Sequence, residues 1–136
     1  HPYPLHMVKD ARAFSCFSGT DIDAAHAFYK DILGLDVDKT AEGLMIRLAF
    51  GGTIFIYPKH DHQAATFTVL NFMVPDIEKA VVDLTGQGVV MQQYDMDMIK
   101  TDEQGIAWTP EGAPGPRAIA WFKDPAGNII GVAQEA

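Results

Sequence analysis

An internal repeat constrains the fold more than any other feature of this sequence. The segment DIDAA at residues 21–25 and the segment DIEKA at residues 76–80 each follow a strand-like run, at residues 14–18 and 67–74. Each segment opens a stretch with apolar residues at helical spacing, and glycines at Gly34 and Gly86 end these stretches. Short strand-like runs follow each helix. The order βαβββ thus occurs twice, which predicts an α+β fold of two tandem modules.

The pattern also predicts where each module begins and ends. Module one covers residues 8–58, a linker covers 59–66, and module two covers 67–136. Module one has strands at 14–18, 35–39, 44–50 and 53–57, and a helix that starts with a capping box between Thr20 and Asp23. Module two has strands at 67–74, 89–92, 117–123 and 129–133. Residues 95–115 are predicted to form a long loop, either functional or disordered, and residues 1–7 a tail or an added remnant.

The composition favours one domain that works apart from nucleic acid and membranes. The chain has 136 residues, of which 48% are apolar and 21% charged, as in ordinary globular domains. Its net charge of −8 and the lack of any Lys/Arg cluster make nucleic acid and anionic membranes poor partners. No apolar run reaches the ~18 residues that span a bilayer. Cys16 is the only cysteine, which excludes an internal disulfide and suits a reducing compartment. We therefore expect a cytoplasmic protein.

Two motifs give the repeat a family resemblance. The segment AFYKDILGL at residues 27–35 and the segment AWFKDPAGN at residues 120–128 resemble the helix end and the C-terminal turn of the vicinal-oxygen-chelate superfamily. That superfamily includes glyoxalase I, bleomycin-resistance proteins, fosfomycin-resistance enzymes and extradiol dioxygenases. The resemblance implies strands that wrap into a half-open cup, helices outside, a site within the cup and a homodimer.

The positions at which this superfamily carries metal ligands hold other residues here. Counting from the helix-opening aspartates gives Phe14 and Val69, and counting from the C-terminal turn gives Gly131. The fourth ligand belongs to the strand at 53–57, which contains no His, Glu, Asp or Gln. Divalent cations of such sites need imidazole or carboxylate donors. We therefore expect no metal and no cofactor, and a branch that resembles the bleomycin-resistance-like proteins.

The same strands predict an apolar site for an organic ligand. Period-two alternation turns these residues toward the cup: Cys16, Ser18, Asn71, Met73, Ile129 and Ala133. On the strand at 53–57 either Phe55 with Tyr57 or Ile54 with Ile56 faces inward, and the aromatic pair is favoured. The predicted ligand-binding residues are Phe14, Cys16, Phe55, Tyr57, Val69, Asn71, Met73, Trp121 and Gly131. Such a lining suits an organic molecule better than it suits activation of water.

For some candidate residues a structural role explains their presence without any function. Cys16 could be a nucleophile, but the sequence offers no partner to activate it, and packing accounts for it better. The stretch His60-Asp61-His62 holds two potential ligands, and a solvated connector explains it better. Tyr57 and Tyr94 could donate hydrogen bonds to a ligand.

Two classes of function follow from these residues. The first is a protein that binds a small apolar or aromatic molecule for sequestration, transport or sensing. The alternative is a metal-independent isomerase, lyase or hydrolase that uses Tyr57, Asn71 or Cys16. A metal-dependent glyoxalase or dioxygenase ranks third. The fold alone cannot choose among them, since it supports many chemistries.

Overall fold

A computed structural model describes residues 7–136. The first module consists of β1 (Ser15–Gly19), α1 (Ile22–Ala27), a π-helical segment (Phe28–Ile32), β2 (Asp36–Lys39), β3 (Leu44–Arg47) and β4 (Thr53–Pro58). The second consists of β5 (Thr68–Val74), α2 (Ile77–Gly86), β6 (Ile106–Trp108), β7 (Ala118–Lys123) and β8 (Ile129–Gln134). No helix within residues 7–136 is both long enough and apolar enough to cross a bilayer. The predicted tail lies outside the described residues, apart from Met7.

The two modules have the same sheet topology, which confirms the predicted α+β repeat. One sheet has the order β1-β4-β3-β2 and the other the order β5-β8-β7-β6. In each sheet the first and last strands of the module pair in parallel, and the remaining pairs are antiparallel. The helix of each module provides the crossover that a parallel pair requires.

The helices begin at the two aspartates of the repeat. Asp21 caps α1 by accepting a 3.1 Å hydrogen bond from the Ala24 amide, and Asp76 caps α2 by accepting one of the same length from Lys79. The predicted capping box from Thr20 is therefore wrong, because the N-cap is the next residue. After Ala27 the backbone changes to π-helical geometry until Ile32, and Gly34 (φ 72°) reverses the chain.

The second strand of module two is not where the sequence pattern places it. Residues 89–92 form no strand, and their contact with β7 includes a 2.8 Å hydrogen bond from the Gln92 amide to the Trp121 carbonyl. The strand that takes this place in the sheet is β6, and its residues lie within the predicted loop at 95–115. The Asp102 carboxylate accepts hydrogen bonds from the Ile106 amide and from Nε1 of Trp108, both at 2.9 Å. This turn starts β6, and Ile106 is fully buried.

One hydrophobic core joins the modules. The inner face of the first sheet contributes Ile54 and Ile56, and the inner face of the second contributes Phe122. The π-helical segment lies between them: the ring of Phe28 is 6.1 Å from that of Phe122, and the ring of Tyr29 is 6.5 Å from that of Phe17. Both sheets therefore bury their inner faces against the same helical segment, Phe28–Ile32, which we call the helical layer.

A buried hydrogen bond crosses this junction. The hydroxyl group of Tyr29 donates to the carboxylate of Asp124 at 2.7 Å, and both residues are buried. Burial, together with the charge of Asp124 and this hydrogen bond, raises the pKa of Tyr29 well above its usual range. The hydroxyl group therefore stays protonated and remains a donor. Its contribution to stability is present below the ordinary tyrosine pKa of about 10 and is lost as the pH rises above it.

The substitution Tyr29→Phe tests this junction. It removes the donor and leaves a buried carboxylate one hydrogen bond short, so we expect the free energy of unfolding to fall by about 1.5–3 kcal/mol. Urea denaturation measures the change. Tyr57→Phe is the matched control, because Tyr57 is only half-buried, and it should shift stability by less than ~0.5 kcal/mol. Equal effects of the two substitutions would contradict the role given to Tyr29.

Candidate functional site

Each sheet has a face turned away from the helical layer, and we call it the open face. On β4 the isoleucines 54 and 56 are buried in the core, while Phe55 and Tyr57 are half-buried on the open face. On β1 the ring of Phe17 points toward Tyr29, so Cys16 and Ser18 point the other way. Cys16 pairs in register with Phe55, and Ser18 with Tyr57. The open face of the first sheet is thus aromatic at β1 and β4, with a thiol and a hydroxyl group beside the rings. At β2 and β3 it is charged, because Arg47 pairs there with Asp36 and Asp38.

The open face of the second sheet carries an aligned row of three predicted site residues. Asn71 on β5, Gly131 on β8 and Trp121 on β7 lie in register. A Cβ atom at residue 131 would lie 2.3 Å from Oδ1 of Asn71. Glycine therefore leaves the space that the Asn71 amide occupies, and Trp121 lies on the other side of this glycine. Tyr94 packs edge-on against Trp121, with 5.4 Å between the ring centroids.

The remaining predicted residues lie in different surroundings. Phe14 immediately precedes β1 and is 66% exposed, and Met73 is 58% exposed on the open face of β5. Val69 packs against the core, because the pairing of β5 with β8 shifts between Thr68 and Leu70. This irregularity breaks the period-two alternation and places Thr68 beside Gly131. A Cβ atom at residue 131 would lie 3.4 Å from Cγ2 of Thr68.

The predicted site residues do not form one closed cup within a single chain. Phe55 and Tyr57 belong to the first sheet, and Asn71, Trp121 and Gly131 belong to the second. Both inner faces pack against the helical layer around Phe28 and Tyr29. The two open faces therefore point away from this layer, and each one presents half of the predicted lining.

The donors on these faces do not fit a catalytic divalent metal. Phe14, Val69 and Gly131 provide no imidazole or carboxylate group, and neither does β4. Among residues 7–136 no cluster of three or more His, Cys, Asp or Glu side chains could hold an ion. The side chains that reach the open faces at β1, β4, β5 and β8 are aromatic, aliphatic, amide, thiol and hydroxyl groups, which suit contacts with an organic molecule. Asp36 and Asp38 on β2 also face this side, where both pair with Arg47 on β3.

His62 is a residue whose position the sequence did not reveal. The segment at residues 60–62 was predicted to be a solvated connector, and for His62 this prediction is wrong. Its Nδ1 lies 2.6 Å from Oγ of Ser18, and its Nε2 lies 3.0 Å from the carbonyl oxygen of Ala126. Asp61 does match the prediction, since it is exposed and pairs with Lys59, which lowers the pKa of Asp61. No local pattern links Ser18 to a residue 44 positions away.

Solved structures share this architecture at low sequence identity. TnmS3, an antibiotic-binding protein from a Streptomyces species, has a TM-score of 0.61 and 19% identity over 93% of this chain and 98% of its own. The fosfomycin resistance protein FosX from Listeria monocytogenes has a TM-score of 0.65 and 15% identity, over 93% and 94%. A lactoylglutathione lyase from Agrobacterium tumefaciens has a TM-score of 0.62 and 17% identity, over 91% and 93%. No family model and no curated protein matches the sequence.

These similarities show the fold. The chain has the vicinal-oxygen-chelate fold of the glyoxalase-like, fosfomycin-resistance and antibiotic-binding proteins. At identities of 15–19% the similarity does not carry over an activity or a ligand.

The lack of donors predicts that the purified protein holds no stoichiometric metal. After dialysis against a mild chelator, elemental analysis should find far less than one equivalent of zinc, nickel, manganese or iron per chain. A zinc enzyme dialysed in the same way serves as the control, since it shows whether the procedure removes a tightly bound metal ion. One retained equivalent would show that donors outside the predicted positions assemble a metal site.

Proposed function

We propose that the chain binds a small apolar or aromatic organic molecule without a metal, for sequestration, transport or sensing. The observation that carries this proposal is the row on the second sheet, in which Asn71 and Trp121 lie on either side of Gly131 and this glycine makes room for the Asn71 amide. The indole provides a flat apolar surface, and the amide both donates and accepts hydrogen bonds. This combination orients a planar ligand and needs no reacting group. TnmS3, which shares the fold, is itself an antibiotic-binding protein.

The contacts favour binding of an apolar or aromatic ligand. Burial of ~200 Å2 of apolar ligand surface contributes on the order of 5 kcal/mol before the costs of association. Each aromatic pair adds about 0.5–1.5 kcal/mol beyond burial. Micromolar affinity corresponds to about 8 kcal/mol. A ligand between two aromatic faces buries more apolar surface and makes more aromatic pairs than a ligand on one face, so the second face raises the affinity.

We further propose that a second copy of the chain supplies the other face. The open faces point away from the shared helical layer, so the Phe55–Tyr57 face of one copy can meet the Asn71–Trp121 face of another. Phe14 and Met73 are more than half exposed on or beside these faces, and exposed apolar patches commonly mark interaction surfaces. A homodimer would cover them and close the cup. The free, exposed thiol of Cys16 is consistent with a cytoplasmic, reducing location.

Substitution of Trp121 tests the binding proposal. With the neutral aromatic probe N-phenyl-1-naphthylamine, we expect Trp121→Ala to raise the dissociation constant tenfold or more, because the flat surface under the probe is lost. Asn71→Ala and Cys16→Ser should change it by less than about fivefold, since each alters one polar contact worth about 1 kcal/mol or less. Fluorescence titration measures all three values.

The second tryptophan offers a matched control. Trp108 is 37% exposed and lies under the guanidinium group of Arg117, with its indole nitrogen bound to Asp102. Trp108→Ala should leave the probe affinity within about twofold, which is less than ~0.5 kcal/mol. Equal losses for Trp108→Ala and Trp121→Ala would contradict the assignment of the site to the open face.

The assembly has its own test. At micromolar concentration, sedimentation equilibrium should show a species of twice the 14.9 kDa chain mass. The substitution Met73→Glu places a charge on the open face of β5 and should shift the equilibrium toward monomer. Glu at Val82, which is 56% exposed on the outer side of α2, is the control and should leave the dimer intact. A species of the chain mass alone would contradict the dimer.

A further inference from the structure

Ser18 and His62 form a hydrogen-bonded pair that ligand binding does not require. Oγ of Ser18 lies 2.6 Å from Nδ1 of His62. Nε2 of His62 lies 3.0 Å from the carbonyl oxygen of Ala126. A carbonyl oxygen only accepts hydrogen bonds, so Nε2 must carry the proton of the neutral ring. Nδ1 is then unprotonated and accepts the hydroxyl proton of Ser18.

This arrangement contains the three parts of an activated nucleophile: a hydroxyl group, an unprotonated base in contact with it, and a third group that orients the base. In this chain the orienting group is the backbone carbonyl of Ala126. Ser18 is on the open face of β1 and pairs in register with Tyr57. The side chains that would surround a reacting molecule are therefore those of the aromatic face.

The backbone around the pair is held by contacts from both modules. The carbonyl oxygen of Ser18 accepts a 2.9 Å hydrogen bond from Nδ2 of Asn128, in the turn between β7 and β8. The carbonyl oxygen of Gly19 accepts one from the Lys59 amide at 3.1 Å, and the carbonyl oxygen of Lys59 accepts one from the His62 amide at 3.0 Å. The strand that carries the serine and the linker that carries the histidine are thus joined directly, which fixes the distance between the two side chains.

We propose that Ser18 is a nucleophile and His62 its general base, acting on activated esters with a small apolar or aromatic acyl group. The Ser18 hydroxyl proton moves to Nδ1 while Oγ bonds to the acyl carbon. The bond from that carbon to the leaving oxygen breaks, and the leaving alcohol or phenol takes the proton from Nδ1. Water, deprotonated by Nδ1, then attacks the acyl-serine; Oγ leaves and regains the proton, and a carboxylic acid is released. The reaction takes place on the aromatic face of the proposed binding site, but it needs neither Trp121, a metal nor a second copy of the chain.

Covalent labelling of the whole chain with diisopropyl fluorophosphate tests the proposal. Attack by Oγ on phosphorus expels fluoride and leaves a stable phosphoserine ester, which intact mass measurement counts and peptide mapping locates. We expect one label per chain, on Ser18. Ser15 is an exposed serine on the same strand and serves as the internal control, since it is not the serine that contacts His62. Labelling of Ser18 no faster than Ser15 would overturn the proposal, and this comparison needs no variant.

Two histidine variants then assign the base. His62→Gln keeps a side-chain amide near the Ala126 carbonyl but removes the imidazole, so the rate of Ser18 labelling should fall on the order of a hundredfold. His60→Gln alters the neighbouring exposed histidine and should leave the rate unchanged. With p-nitrophenyl acetate, the native chain should release one equivalent of p-nitrophenol in a burst that Ser18→Ala abolishes. If His62→Gln is folded by circular dichroism and labels at the native rate, the contact is only structural and the proposal fails.

Discussion

A buried hydrogen bond between Tyr29 and Asp124 joins the two modules. Asp124 is buried and accepts from the Tyr29 hydroxyl, from the backbone amides of Ala126 and Asn128, and from the Asn128 side chain, all at 2.7–3.0 Å. A buried carboxylate is tolerated only when its oxygens are satisfied in this way. Because Tyr29 belongs to module one and Asp124 to module two, the bond also holds the inner faces of both sheets against one helical layer.

The two motifs that carry the family resemblance are the two halves of this contact. The segment at residues 27–35 provides Tyr29, and the segment at residues 120–128 provides Asp124 and Asn128. Asn128 also donates to the Ser18 carbonyl, which brings the turn between β7 and β8 against the end of β1. The same turn positions Ala126, whose carbonyl oxygen orients His62. A motif with a structural role thus sets the geometry of a candidate reactive pair.

The same junction explains why the predicted lining is divided. With both inner faces buried against Phe28 and Tyr29, the aromatic side chains of β4 and the Trp121 row of the second sheet must lie on outward-pointing faces. Local alternation correctly indicated which side chains of β4 share a face, since that depends only on strand geometry. It does not capture the packing of Val69 against the core, which coincides with the irregular pairing of β5 with β8 between Thr68 and Leu70.

Sequence patterns were enough to predict the repeat, the positions of most helices and strands, and the lack of metal donors at the expected positions. These properties depend on residue type and on periodicity over a few neighbours. Only the tertiary structure showed that β6 lies at Ile106–Trp108, where one Asp102 carboxylate organises the turn, and that the open faces point apart. It alone brought His62 against Ser18, 44 residues away, and Tyr29 against Asp124, 95 residues away. Contacts at such separations result from how the sheets and helices pack, and no local pattern encodes them.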